Sequence, residues 1–362
     1  LRLRPYQEEC EEKIKENHSQ GVNSQLIILP TGTGKTVVFT QAPKWVPNKR
    51  TLVLAHTEEL VGQAVDKIRH WNPQLLVGVE MASRYCSDDD DVVVGSVPTL
   101  GRARSERLAR LRPDDFGVLV VDEAHHATAS TYRRIIGHFG FGLNGNPGSR
   151  LLLGVTATAG RGDGQGLGEV FSKVTYHYSM LQAIKDGWIC PPKGFRIRTD
   201  TTLDEVHSLA GDFQQNELST AVNTPRRNDL IVERWLQRGE NRQTLAFTVD
   251  IAHAKDLAAA FKGKGVRADA IWGDDPDRAE KLHRHREGDI TVLTNCGVLT
   301  EGYDDWQIGC IILARPTKSR LLFVQMVGRG GRLQEGTGNL NDALRDGLAL
   351  LKKDFLVLDF ID

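Results

Sequence analysis

Short apolar runs rich in Val, Ile and Leu alternate along the chain with longer, polar, helix-like stretches. In the first half the apolar runs fall at 25–29, 51–55, 91–95, 117–121 and 151–155. In the second they fall at 244–248, 268–272, 290–294, 310–314 and 355–359. Unbroken apolar runs of this length are what strands need when both faces of a sheet are covered, and the stretches between them supply the covering helices. The predicted fold class is α/β: two domains, each a mainly parallel sheet flanked by helices. Most of the runs lead into small or polar residues, as strands do where their carboxyl ends open onto a ligand crevice.

The expected boundary lies at Gly187-Trp188-Ile189-Cys190-Pro191-Pro192, where paired prolines follow a plausible amphipathic helix at 179–186. This gives domains of residues 1–188 and 189–362. Two glycine-rich stretches stand out: 137–148 reads as a surface loop, and 160–168 as a hinge or functional loop. The acidic run 88–91 reads as a solvated turn before a strand.

Composition sharpens this picture. At 362 residues, with 40% hydrophobic and 26% charged positions, the chain is globular, and a single core rarely keeps growing past about 250–300 residues. Lys and Arg (46) nearly cancel Asp and Glu (47), leaving a formal net charge of -1. The molecule is therefore no general polycation, and any polyanion must be met by local basic groups. Cys10, Cys86, Cys190, Cys296 and Cys310 are scattered and odd in number, which supports neither a disulfide framework nor a zinc site and makes a reduced setting the default. No apolar run reaches the roughly 18 residues that cross a bilayer, and the start, at Leu rather than Met, carries no signal-peptide hydrophobic region. The expected location is intracellular with no membrane: cytoplasm or nucleoid in a bacterium, nucleus or organelle otherwise.

Candidate chemistry begins at Leu29-Pro30-Thr31-Gly32-Thr33-Gly34-Lys35-Thr36, between an apolar strand and a helix-compatible run. Its glycines let backbone N–H groups curl toward phosphate oxygens, Lys35 reaches the outer phosphates and Thr36 ligates Mg2+. Thr31, Gly32, Thr33 and Gly34 form the rest of the cradle. Leu29 stands where the usual leading glycine would be. Val118-Leu119-Val120-Val121-Asp122-Glu123-Ala124-His125 then delivers two carboxylates from the end of a strand. Taken alone the pair could be a solvated turn. Beside a phosphate loop, Asp122 is placed to hold Mg2+ and Glu123 to orient and deprotonate an attacking water.

With those residues in view, the chain resembles the superfamily 2 helicases and translocases. Asp122-Glu123-Ala124-His125 is similar to that family's D-E-x-H box. Leu3-Arg4-Pro5-Tyr6-Gln7 resembles the adenine-recognising segment, which implies nucleotide-binding roles for Arg4 and Gln7. Leu54-Ala55-His56-Thr57-Glu58-Glu59-Leu60 and Gly95-Ser96-Val97-Pro98-Thr99-Leu100 resemble the first-domain segments that touch a nucleic-acid backbone. Thr156-Ala157-Thr158 matches the coupling motif, with Ala159 where proline usually stands. In the second half, the segment from Thr294 to Asp304 is similar to the motif linking nucleic acid to nucleotide. Gln325-Met326-Val327-Gly328-Arg329-Gly330-Gly331-Arg332 resembles the motif whose arginines reach the γ-phosphate.

The resemblance implies two tandem RecA-like domains with ATP between them, and catalytic roles for Lys35, Glu123, Gln325, Arg329 and Arg332. It implies nucleotide contacts from Gly302 and Asp304. Nucleic-acid contacts would come from His56, Thr57, Ser96, Thr99, Arg102, Thr294 and Thr300. The opening segment, T-A-T and Gln325 look more like the branch of type III restriction motors, excision-repair helicases and RadD-type repair proteins than like RNA-remodelling DEAD-box proteins. The expected activity is an ATP- and Mg2+-dependent DNA helicase or translocase acting on single-stranded, duplex or branched DNA. An RNA helicase and an ATP-driven P-loop switch that does not translocate remain as alternatives, and protein partners are unspecified.

The densest basic stretch runs from Arg102 and Arg104 through Arg107 and Arg110 to Arg112. It reads either as phosphate contacts near Thr99 or as a solvated helix whose arginines pair with Glu106, Asp114 or Asp115. His126 and His138 read as surface or loop residues. Trp306 reads as packing, with nucleic-acid contact as the alternative.

Overall fold

The computed structural model describes residues 2–141, 148–158, 166–209 and 211–361. Residue 159, positions 142–147 of the first glycine-rich stretch and positions 160–165 of the second lie outside the described residues. The chain divides into two compact units, residues 1–182 and 183–362.

The first unit holds strands β1 (Ser24–Ile28), β2 (Arg50–Ala55), β3 (Val77–Glu80), β4 (Val92–Ser96), β5 (Phe116–Asp122), β6 (Leu151–Thr156) and β7 (Lys173–His177). They form one sheet in the order β3-β4-β2-β5-β6-β1-β7, and every neighbouring pair is parallel. The order puts β6 between β1 and β5, so the strands leading into the phosphate loop and the paired carboxylates flank the strand leading into Thr156. Both faces are covered. Leu26, Ile28, Leu52, Leu54, Leu119, Val121 and Leu152 join one core cluster with Tyr132, Ile135 and Phe139 from the helix Ser130–His138 and its end. The alternate residues Ile27, Val53, Val120 and Leu153 are equally buried. Each such side chain contributes about 1.5–3 kcal/mol of burial.

The second unit holds β8 (Pro192–Arg198), a small hairpin of β9 (Ser208–Leu209) and β10 (Asp212–Phe213), then β11 (Thr244–Phe247), β12 (Ala268–Ile271), β13 (Val292–Asn295), β14 (Cys310–Leu313) and β15 (Phe355–Ile361). Its main sheet is again all parallel, ordered β12-β13-β11-β14-β15-β8. The period of two is plain here. Leu245, Phe247, Ile311, Leu313, Phe355 and Val357 enter one core with Met326. Ala246, Cys310, Ile312, Leu356, Leu358 and Phe360 enter the other with Ile231, Trp235 and Phe261.

Each of the ten expected strands is present within two residues at either end. Five further strands are present: β3, β7 and β8 lie at sheet edges, and β9 and β10 form the hairpin. Pro192, expected to interrupt structure, opens β8 instead, because an edge strand tolerates a residue with no N–H at its start. Residues 187–192 accordingly belong to the second unit. All five cysteines are free thiols. Among the described residues no helix is long and apolar enough to cross a membrane.

Candidate active site

In the first unit the candidate residues converge at the carboxyl ends of β1, β5 and β6. Gly32 and Gly34 take left-handed φ values of +87° and +76°, and Gly34 immediately precedes the helix Lys35–Phe39. A Cβ on Gly34 would stand 2.9 Å from Gln7 Nε2, so only glycine fits both the dihedral and the space. The loop is tied to its neighbours: Leu29 N–H donates to Thr156 O at 2.9 Å, and the Thr33 hydroxyl donates to Pro30 O at 2.6 Å.

Lys35 Nζ lies 2.8 Å from Glu123 Oε1, with 11% and 8% of the two side chains exposed. Glu123 itself adopts φ +47°, a left-handed conformation uncommon for a non-glycine residue and a mark of functional constraint. Its other oxygen, Oε2, is 3.4 Å from His125 Nδ1, and that same nitrogen is 3.3 Å from Thr156 Oγ1. Thr156 Oγ1 in turn donates to Thr158 O at 2.8 Å. One polar chain therefore runs from the phosphate loop through Glu123 and His125 to the coupling motif.

Asp122 is buried, and burial, followed by the adjacent Glu123 charge, pushes its carboxyl well above the ordinary carboxylate range, with Lys35 opposing. A carboxylate in such a setting gains from a cation. The Thr31 hydroxyl is also buried, with no hydrogen-bond partner among the described residues. Asp122, and Thr36 in the first turn of the helix Lys35–Phe39, offer hard oxygen donors of the kind Mg2+ takes beside phosphate.

The amino-terminal segment braces the loop. The Gln7 amide donates to Thr33 O at 2.9 Å while its oxygen accepts from Arg4 N–H at 3.0 Å. The Tyr6 hydroxyl donates to the same Thr33 oxygen at 2.5 Å, Arg4 Nη1 donates to Tyr6 Oη at 3.2 Å, and Tyr6 stacks on Tyr178 at 4.7 Å. Sequence reasoning passed over Tyr6 and Tyr178. Adjacency to Gln7 was the only signal for Tyr6, and nothing local marked Tyr178.

Within the second unit, Arg329 Nη1 donates to Tyr303 O at 2.7 Å, and Arg332 forms an ion pair with Asp304. Gln325 Nε2 donates to Glu301 Oε1 at 2.6 Å. Gly302, at φ +70°, provides the turn between Glu301 and Tyr303. The two motifs are thus interlocked inside one domain.

Comparison with known proteins follows the same division. The family model described as "Type III restriction enzyme, res subunit" matches residues 1–161, and "Helicase conserved C-terminal domain" matches residues 226–334. The "Putative ATP-dependent helicase IRC3" of Saccharomyces cerevisiae is 35% identical over 91% of this chain and 49% of the yeast protein. The "Putative mitochondrial ATP-dependent helicase irc3" of Schizosaccharomyces pombe is also 35% identical, over 100% of this chain and 58% of its own length. The chain belongs to superfamily 2 of the helicases. It spans about half the length of these relatives.

Solved structures share the fold. A fragment described as "a putative HsdR subunit of a type I restriction enzyme" from Vibrio vulnificus superposes with a TM-score of 0.72 at 22% identity, covering 98% of this chain and 63% of that one. The type ISP restriction-modification enzyme LlaBIII, solved bound to DNA, gives 0.67 at 17% identity, covering 100% and 28% respectively. Both units are accordingly parallel-sheet α/β domains of the RecA-like fold, as expected.

The expected nucleic-acid residues of this superfamily 2 chain fare unevenly. Thr57 Oγ1 caps the helix Glu58–Trp71 by accepting from Leu60 N–H at 3.2 Å, with its side chain half-buried. Thr99 Oγ1 accepts from Ala82 N–H at 3.3 Å, Arg102 is exposed, and Thr300 is half-buried. Ser96 is buried at the end of β4. Thr294 is a correction: it is fully buried in β13, its hydroxyl donates to Ala254 O at 2.7 Å, and it serves packing rather than an outer polymer.

Two further readings change. Arg107 reaches back to the buried Glu80, with Ala82 O and Arg84 O as further acceptors, so it is neither a phosphate contact nor a partner of Glu106. His126 is half-buried in a row of rings, 4.1 Å from His125 and 4.8 Å from His56, rather than a surface residue. His138 is half-buried too, its Nε2 2.7 Å from Leu111 O.

Proposed function

We propose that this chain is a DNA-dependent ATPase that couples hydrolysis to translocation on, or unwinding of, DNA. The observation that carries the reading is the contact of Lys35 with Glu123 at the mouth of the β1–β6–β5 strands, continued through His125 to Thr156. A structural turn has no need to join a phosphate-loop lysine, a strained carboxylate and a coupling threonine in one chain of contacts.

In this mechanism the backbone N–H groups of residues 31–36 bind the phosphates and Lys35 takes the outer ones. As Lys35 turns toward phosphate oxygen, Glu123 is released to orient water and accept its proton. His125 holds the second Glu123 oxygen and reports its position to Thr156. Asp122 and Thr36 would hold Mg2+, which would supply charge neutralisation on the phosphates. We assign Arg329 and Arg332 to the transition-state charge, and Arg4 and Gln7 to the nucleotide base. Gln325, Gly302 and Asp304 position those arginines. His56, Thr57, Thr99, Arg102 and Thr300 meet the polymer backbone, with Ser96 placing the segment that carries Thr99. Residues 1–188 and 189–362 act as the two working halves, in a reducing compartment that suits five free thiols.

DNA is preferred over RNA because of the opening L-R-P-Y-Q segment and Gln325, and because LlaBIII, a neighbour in fold, is a DNA-bound enzyme. The test compares ATP turnover with no polymer, single-stranded DNA, duplex DNA, forked DNA and RNA. Stimulation by DNA supports the reading. Stimulation by RNA alone moves the assignment to an RNA helicase, and equal rates in all five leave a switch that does not move along a polymer.

A further inference from the structure

The near-neutral chain requires local basic groups for any polyanion, and the stretch at 102–112 supplies fewer than its sequence promised. Arg107 is spent on Glu80, Arg112 lies 3.9 Å from Asp115, and Arg110 stands over the Tyr85 ring at 5.4 Å. The uncompensated cluster lies elsewhere. A groove of about 490 Å³ along the free edge of β8 is lined by Arg196, Arg198, Arg234 and Arg238, together with Phe195 and Ile197. Among the described residues none of the four arginines pairs with a carboxylate. Arg234 meets only the Gln237 amide, at 2.8 Å, and Arg238 lies over the Phe195 ring at 4.8 Å.

The placement follows from the sheet. Ile197 faces the core beneath the helix Pro225–Arg238, so Arg196 and Arg198 leave β8 on the opposite face, while Arg234 and Arg238 project from the last turns of that helix. Four guanidinium groups from two elements therefore bracket one open edge. Charges on an edge strand commonly guard it against pairing with another strand, which accounts for Arg196 and Arg198. It does not account for Arg234 and Arg238, whose i,i+4 spacing sets like charges side by side at a cost to the helix. A bound polyanion relieves both pairs at once. The neighbouring acidic position in the ladder, Asp359 opposite Arg196, is a single charge against four.

We propose that this edge is a second nucleic-acid contact, taking the phosphodiester backbone of DNA outside the motor's own track. It rests on the DNA-motor reading above. Strand β8 is separated from β13, which leads into Thr300, by β11, β14 and β15, a distance of roughly 20 Å at the usual strand spacing. The site therefore adds phosphate contacts without entering the nucleotide machinery.

The test is the salt dependence of affinity for labelled single-stranded and duplex oligonucleotides. It uses wild type, the fourfold R196Q/R198Q/R234Q/R238Q variant, and a fourfold lysine variant at the same positions. Removing one phosphate contact flattens the slope of log K against log salt by about 0.7–0.9. The glutamine variant is expected to lose about two units of slope or more and to bind more weakly at low salt. The lysine variant keeps the slope, and polymer-free ATP turnover is unchanged in both. The half-variants R196Q/R198Q and R234Q/R238Q each lose part of the slope, which serves if the fourfold variant folds poorly.

Wild-type slope and affinity in the glutamine variants, with DNA-stimulated turnover intact, overturn the site and leave the motor reading standing. Wild type that neither binds DNA nor responds to it overturns both. Glutamine variants that keep DNA binding but lose retention of polyglutamate also overturn the proposal, and assign the edge to an acidic protein strand.

Discussion

Lys35 Nζ and Glu123 Oε1 are in direct contact at 2.8 Å, so the group that binds phosphate and the group that activates water hold each other. Glu123→Gln keeps the shape and an acceptor for Lys35 but cannot take a proton. Turnover should fall about 100- to 10,000-fold while a fluorescent ATP analogue still binds, because less of the Lys35 charge is committed to residue 123. Wild-type turnover in this variant removes Glu123 as the base.

Arg329 is held by Tyr303 O within its own domain, so its removal leaves the first-domain phosphate loop untouched. Arg329→Ala should lower kcat by about 1,000-fold or more with little change in KM for ATP. Steady-state kinetics distinguish this from a ground-state binding role, which would raise KM and spare kcat.

Gly34→Ala meets two obstacles, a φ of +76° and the Gln7 amide 2.9 Å from the new Cβ. The variant should lose at least about tenfold in ATP affinity, whereas Gln7→Ala alone should cost about 1 kcal/mol of stability through the broken bond to Thr33 O. Calorimetric titration and denaturant midpoints measure the two effects separately.

The Arg107–Glu80 pair is built into the fold, with 16% and 1% of the side chains exposed. Glu80→Ala strands a guanidinium and should destabilise by about 3–5 kcal/mol. Arg102→Ala, at an exposed position, should leave the melting temperature unchanged and weaken polymer binding. If the two variants exchange these phenotypes, the division of the basic stretch is wrong.

Acid sensitivity follows from two buried imidazoles. Burial lowers His253 to about 3, with Arg227 contributing, and lowers His285 to about 4. Neither Nε2 has a hydrogen-bond partner among the described residues. In the unfolded chain both titrate near about 6.5, so below that pH the unfolded state binds protons that the folded state refuses. The stability from keeping both neutral is whole above pH ~6.5 and falls as pH drops toward ~4, by roughly 1.4 kcal/mol per unit for each. Urea midpoints at pH 7.5 and 5 check the sign, and replacing either histidine by glutamine should flatten the profile.

The central strands were legible because they are apolar at nearly every position, as burial on two faces demands. The edges were not. Of β7 only Tyr176 is buried and of β8 only Ile197, so each reads as polar, and the prolines at the start of β8 mimic a linker. The site was legible wherever one segment carries the chemistry, as with Lys35 and the Asp122-Glu123 pair. Contacts across long sequence separations were hidden: Tyr6 against Thr33 and Tyr178, and Arg107 against Glu80. Thr294 misled because its motif position suggested a surface contact, whereas its strand lies under a helix that claims its hydroxyl.

The place of β1 in its sheet governs how the molecule must be made. Among the described residues its ladder partners are β6 and β7, at residues 151–156 and 173–177, so the strand leading into the phosphate loop leaves the ribosome long before either can pair with it. Until then Leu26, Ile27 and Ile28 are an unpaired apolar edge, and nascent chains that stop short of β6 are candidates for chaperone capture or aggregation. Chains that stop before residue 151 lack the strand whose Thr156 carbonyl ties down Leu29 at the head of the loop, and they are expected to bind nucleotide weakly.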